Sequence, residues 1–208
     1  PVPAPTPEPE PVPTPETPFA LDFQRVAVSA DGNKDPDDIG ATAAKLAMLA
    51  HFGLQARLVH YNVNTQVWHD PSDKMWESAQ GSAELMGVDT SAFFDAGAEY
   101  ESSGSVNNTA QHLADAINAS SENDKLLILS AGPMEVIYQG VKLANPDKRR
   151  YVEVSYHSQG NAKFETNGSH NLDDIKALGV SVKQIRNQNG GFSTHKDGAN
   201  KAEDFDFW

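Results

Sequence analysis

Four aspartates fall within eight residues, in the stretch Asp31-Gly-Asn33-Lys-Asp35-Pro-Asp37-Asp38. Like charges packed so closely repel, and a divalent cation or protonation of one carboxyl group relieves the cost. A site made of oxygen donors alone suits Ca2+ or Mg2+. The spacing is not that of the twelve-residue EF-hand loop with its terminal glutamate. A reading without metal stands beside this one. Asp31 or Asn33 turns the chain, and Asp37 and Asp38 sit at a helix start, where the dipole favours negative charge and Asp37 is a suitable cap.

Other chemistry-bearing patterns are weak. The seven histidines (51, 60, 69, 112, 157, 170 and 195) include no HExxH pair, so they do not suggest a zinc site. No G-x-S-x-G elbow and no G-x-G-x-x-G loop occurs. His157 follows a strand end, which leaves both a pocket and a surface role open. The aromatics Trp68, Trp76, Phe93, Phe94 and Tyr100 gather in an irregular 62–105 region. Two readings are open for them: a cover for a sugar-binding pocket, or a satellite core under a long loop.

The elements that must position these groups alternate. Short apolar runs at 25–30, 56–61, 125–130, 151–155 and 180–185 suit buried strands. Helical spacing marks 39–52 (ending at Gly53 as C-cap), 74–86, 108–119, 133–144 and 171–178. Strands alternating with helices imply an α/β fold with a parallel sheet. Ligands bind such sheets beyond the carboxyl ends of the strands. Polar residues collect after each expected strand end: Ser29 to Asp38, Asn62 and Asn64, Ser130 to Pro133, and His157 to Asn161.

Strand–Asp31-x-Asn33-x-Asp35-Pro-Asp37-Asp38–helix resembles the opening of the nucleoside hydrolase superfamily. It is similar above all to the nucleoside-hydrolase-like domains of secreted bacterial proteins, whose loop carries a DPDD. Leu127-Ile-Leu-Ser-Ala-Gly-Pro133 is similar to the family's apolar strand ending in Gly-Pro, and Asn171 with Asp173 and Asp174 to its Asn before a short helix. The resemblance runs from about residue 25 to the end of the chain. It implies a Rossmann-like, mostly parallel sheet with helices on both faces.

The resemblance also implies roles. The loop would hold one Ca2+, and one aspartate would activate a water that attacks an anomeric carbon. Asp38 matches the metal-binding aspartate, Asp37 the one that contacts the sugar diol, and Asp31 the first aspartate of the motif. Asn33 stands where the family's metal-bridging base stands. An amide does not accept that proton, so the base becomes Asp35 or Asp31, with Asp35 also a metal ligand. The Ala131 carbonyl matches a main-chain metal ligand. Asn64, with Asn62 as the weaker match, and Asn171 correspond to sugar-binding amides. The family's late His-Asp segment has no match in 187–208, which contains His195, Asp204 and Asp206. The domain is therefore expected to continue beyond residue 208.

Composition bounds the rest. Among 208 residues, 29 are acidic and 16 basic, giving a formal charge of −13. That balance argues against a nucleic-acid binder. No run of 18 apolar residues suggests a membrane span. The absence of cysteine excludes disulfides, Cys-based zinc sites and Cys nucleophiles. Residues 1–18 hold nine of the thirteen prolines and read as an extended, disordered Pro/Thr/Glu linker. The body, residues 19–208, follows it. Such a linker suggests a secreted bacterial, or periplasmic, multimodular protein with flanking modules on the same polypeptide. The expected activity is Ca2+-dependent hydrolysis of a glycosidic bond in a carbohydrate or nucleoside. The alternative is a non-catalytic carbohydrate-binding, accessory or extracellular assembly module, and self-association as a homo-oligomer is compatible with either.

Overall fold

Apolar residues alternate along the central strands, and that alternation decides which helices cover which face. A computed structural model describes residues 22–32, 36–65, 73–156 and 169–185, without the side chains of Pro36, Asp37 and Asp73. The Pro-rich tract, Asn33, Asp35, Trp68, His157 and residues 186–208 lie outside the described residues. Six strands form one parallel sheet: β1 (Arg25–Asp31), β2 (Leu58–Asn64), β3 (Phe93–Asp95), β4 (Leu126–Ala131), β5 (Val152–Tyr156) and β6 (Ser181–Gln184). Their order is β3-β2-β1-β4-β5-β6. The described helices are α1 (Pro36–His51), α2 (Asp73–Leu85), α3 (Ala96–Ser103), α4 (Asn107–Asn118), α5 (Glu135–Leu143) and α6 (Leu172–Ala177). The expected Rossmann-like α/β fold is the observed one, with helices on both faces.

Val28, Ala30, Tyr61, Val63 and Phe93 point to one face, where they pack against Leu46 of α1 and Met75, Ala79 and Ala83 of α2. Ala27, Ile128, Val152 and Val154 point to the other, against Leu113 and Ile117 of α4, Val136 and Ile137 of α5, and Ile175 of α6. Each fully buried Leu or Ile side chain contributes about 1.5–3 kcal/mol. No helix among the described residues is long and apolar enough to cross a membrane.

The 62–105 region is not irregular throughout. It contains the end of β2, helix α2, strand β3 and helix α3. Its described aromatics pack into the body of the protein. Phe93 stacks on Tyr61 at 4.7 Å, Trp76 lies against the α1–α2 core, and Tyr100 lies against the other core. Phe93, Trp76 and Tyr100 thus belong with the two main cores, and neither a pocket cover nor a separate satellite core describes them. Residues 56 and 57, expected to open the second strand, belong to a 3-10 turn (Gln55–Arg57), and the strand runs from Leu58 to Asn64.

Polar groups tie the layers together. The Gly53 N–H donates to the Ala50 carbonyl at 3.1 Å, ending α1 with φ of 64° at this glycine. Val106 offers no side-chain cap to α4, and Glu99 of α3 takes over: it accepts from the N–H groups of Asn108 and Thr109 at 2.6 and 3.0 Å. Arg25 pins the amino edge of β1 to the far end of α4. Its guanidinium donates to the Ala116 carbonyl and Ser120 Oγ, both at 2.8 Å, and pairs with Asp124 at 2.9 Å.

Candidate functional site

The strand order reverses direction between β1 and β4, and that switch point is where a ligand crevice forms in this class of sheet. Asp31 ends β1, Asn64 ends β2 and Ala131 ends β4. Asp31 pairs in register with Asn64, and its neighbour Ala30 pairs with Ala131. Three of the residues singled out by sequence are thus side by side on the carboxyl edge. Asp31 is 6% exposed and Asn64 is fully buried.

Two glycines let the strand ends close up. A Cβ on Gly132 would stand 2.5 Å from the Asp31 nitrogen and 2.7 Å from the Ala30 carbonyl carbon. A Cβ on Gly32 would stand 2.6 Å from Thr65 Cγ2. The Gly32 N–H donates to the Asn64 carbonyl at 3.0 Å, carrying the β1–β2 pairing one residue past the strand. Only glycine permits such approach of one backbone to another.

Asn62 and Asn64 were expected in the loop after the second strand; both lie within β2 and are buried. Asp31 likewise belongs to β1 and not to the loop. Asp38 lies in the first turn of α1, as the helix-start reading requires, and is half-buried. The Thr42 hydroxyl lies 3.1 Å from the Asp38 carbonyl, and the Tyr61 hydroxyl donates to Thr42 at 2.9 Å. Further along the same helix, burial pulls the Lys45 amine down to about 8, and the Asp38 charge opposes that pull. Burial also pushes the Tyr61 phenol above its ordinary range. The Asp37 backbone is in α1, but its side chain and all of Asp35 lie outside the described residues.

Asn171 is the N-cap of α6. Its Oδ1 accepts from the N–H groups of Asp173 and Asp174 at 2.7 and 3.2 Å, and Asp174 completes the capping box. The preceding residue, His170, docks on α5. Its backbone N–H donates to Glu135 Oε2 at 2.7 Å, and its Nδ1 lies 2.8 Å from the same oxygen. Gln139 donates to the other oxygen at 2.7 Å, and the His170 ring stacks on Tyr138 at 3.5 Å. The sequence reading missed Glu135 and His170, which are 35 residues apart.

A second group, of which the sequence singles out only Asn62, lies beneath Asp31 and Asn64. Ser29, His60 and Asn62 are buried polar residues on the strand face that Asp31 and Asn64 share. Asn62 donates to Ser29 Oγ at 3.1 Å, and His60 Nε2 meets Asn62 Oδ1 at 3.1 Å. His60 Nδ1 meets Nδ1 of His112, on α4, at 3.0 Å. Burial is the main reason the His60 imidazole is pushed down to about 3. The alternation His60-x-Asn62-x-Asn64, period two in a strand, was the available signal.

The donor set at this edge is oxygen-based: the Asp31 carboxylate and the Ala131 carbonyl at the strand ends, with Asp38 in the first turn of α1. Such hard donors fit Ca2+. Among the described residues no three His, Cys, Asp or Glu side chains form a metal-holding group. Two of the four loop carboxylates, those of Asp35 and Asp37, fall outside that set.

No family model matches the chain. No solved structure matches it significantly. Over 177 residues, 79% of the chain, it is 32% identical to a protein of Formosa agariphila described as "Uncharacterized protein P22". The chain spans about 62% of the length of that relative.

Proposed function

We propose that the carboxyl edge of β1, β2 and β4 is a Ca2+-assisted site for a polyhydroxylated ligand, and that the chain is a hydrolase-like module acting on the glycosidic bond of a carbohydrate or nucleoside. The observation that carries this reading is the pairing of Asp31 with Asn64 on the last rung of β1 and β2, beside the switch point. Asp38, the Ala131 carbonyl and Asp35 would hold the ion. When bound, Ca2+ would acidify a coordinated water and order the sugar hydroxyls. The carboxylate of Asp31, or of Asp35, would take the proton as the water oxygen bonds to the anomeric carbon and the glycosidic bond breaks, its electron pair departing with the leaving group, which takes up a proton from solvent. Asn64, Asp37 and Asn171 would contact the sugar hydroxyls. The Pro/Thr/Glu tract supports a secreted, multimodular setting.

Incubation with purine and pyrimidine nucleosides and with nitrophenyl glycosides, in Ca2+ or EDTA, tests the reading. Sugar release in Ca2+ is expected, with loss in EDTA and a fall of about a hundredfold or more in Asp31→Asn. Release that survives both changes contradicts the assignment. Asn33 at the family's base position favours the second reading, a non-catalytic carbohydrate-binding or accessory module. Ligand binding without turnover in any of these assays would select it.

A further inference from the structure

Core-facing positions on the central strands of a parallel sheet are ordinarily apolar. One face of β1 and β2 departs from that over three successive rungs. Ala27 pairs with His60, Ser29 with Asn62, and Asp31 with Asn64. The hydrogen bonds along these rungs run in one direction. Asn62 Nδ2 donates to Ser29 Oγ, which turns Asn62 Oδ1 toward His60. His60 therefore donates from Nε2, and the unprotonated Nδ1 of its neutral ring accepts from Nδ1–H of His112. Phe94 of β3 stacks on His60 at 5.5 Å and tilts against His112 at 4.6 Å, closing the group from the side. His112 is half-buried, while the other three are fully or almost fully enclosed.

Stability alone is a poor reason to keep such a group. Buried neutral hydrogen bonds add little net stability, and replacing all partners by apolar side chains of similar shape is often neutral or stabilising. Proton conduction is a poor reason too, because the Asn62 amide interrupts the run of exchangeable groups. What a fully satisfied buried network does supply is fixed geometry, as the partners behind metal ligands do.

We propose that His112, His60, Asn62 and Ser29 are positioning residues: a hydrogen-bonded ladder that ties α4 to the floor of the site and holds the Asp31–Asn64 rung for its ligand. The proposal rests on the reading of that edge as a Ca2+-assisted site.

The variant Ser29→Ala/His60→Leu/Asn62→Val/His112→Leu removes the ladder whole. Its melting temperature is expected to hold or rise, while Ca2+ affinity by calorimetry falls about tenfold or more. Unchanged Ca2+ affinity overturns the proposal, whatever the melting temperature does. If the fourfold variant does not fold, the half-buried His112 decides. His112→Leu removes the donor to His60, and His112→Asn puts an amide N–H near its place. Weaker Ca2+ binding in the first and recovery in the second supports positioning, and equal affinity in both overturns it. Wild-type protein that takes up no Ca2+ refutes the site reading instead. In that case a held melting temperature in the fourfold variant supports a ladder kept for something other than stability, and a fall overturns it.

Discussion

His60 and His112 face each other Nδ1 to Nδ1 at 3.0 Å, joining the buried interior of β2 to the flank of α4. One of the two nitrogens must carry the proton and the other must not. His60 has no exposed surface, so charging it would place an ion in the core.

Acid should therefore weaken the fold through His60. Burial, with the neighbouring His112 adding a little, holds its pKa at about 3, against 6.5 in the unfolded chain. The unfolded state takes up this proton first as pH falls. The contribution is intact above pH 6.5 and is lost as pH drops toward 3, with a slope of up to about 1.4 kcal/mol per pH unit. Urea unfolding between pH 7.5 and 4.5 should show a shallower pH dependence in His60→Gln than in wild type. Parallel curves would mean that His60 is not the group titrating.

Gly132 and Gly81 should respond oppositely to alanine. At Gly132 the new methyl collides with the backbone of Ala30 and Asp31, so β1 and β4 must separate. A loss of about 3 kcal/mol is expected, together with weaker ligand binding at the switch point. At Gly81, in α2, a Cβ meets nothing within 4 Å, and alanine should add up to about 1 kcal/mol. Chemical denaturation of the two variants checks both signs, and a stabilised Gly132→Ala would refute the close approach of the strands.

Glu135 should act as the clamp on α6. Its buried carboxylate accepts from Gln139 and twice from His170. Glu135→Ala strands those donors and should cost about 2–3 kcal/mol. Amide hydrogen exchange should then rise first in α6 and at its Asn171 cap. Uniform exchange across the sheet would show that the clamp has no local role.

Much of this architecture is legible in the sequence because the signals are local. Arg25-Val-Ala-Val-Ser-Ala30 and Leu126 to Ala131 are short apolar runs, and α1 and α5 carry helical spacing with Gly53 and Pro133 as punctuation. Strand β3 is only three residues long, and α3 follows it directly with Asp95 as cap, so neither shows a sustained period. The last three residues of β2 read as loop because Asn62 and Asn64 are polar, and the burial of these amides depends on the pairing with β1. Asp31, Asn64 and Ala131 could be named for the site through the family resemblance and their place just past the expected strand ends. Ser29, His60, His112, Glu135 and His170 could not, because their partners are brought together only by the fold.

If the Asp31–Asn64 edge and the aspartate loop bind Ca2+, the ion stabilises the folded protein. The most direct measurement is the melting temperature in millimolar Ca2+ against NaCl at matched ionic strength, with EDTA reversal, for wild type and Asp38→Asn. A ligand that binds only the folded state adds about 2.7 kcal/mol at a hundred times its Kd, a rise of roughly 5 °C or more for a domain of this size. That rise is predicted for wild type in Ca2+, reversed by EDTA and largely absent in Asp38→Asn. Identical melting curves in Ca2+ and NaCl would reduce the aspartates to caps and turn formers and would contradict the account.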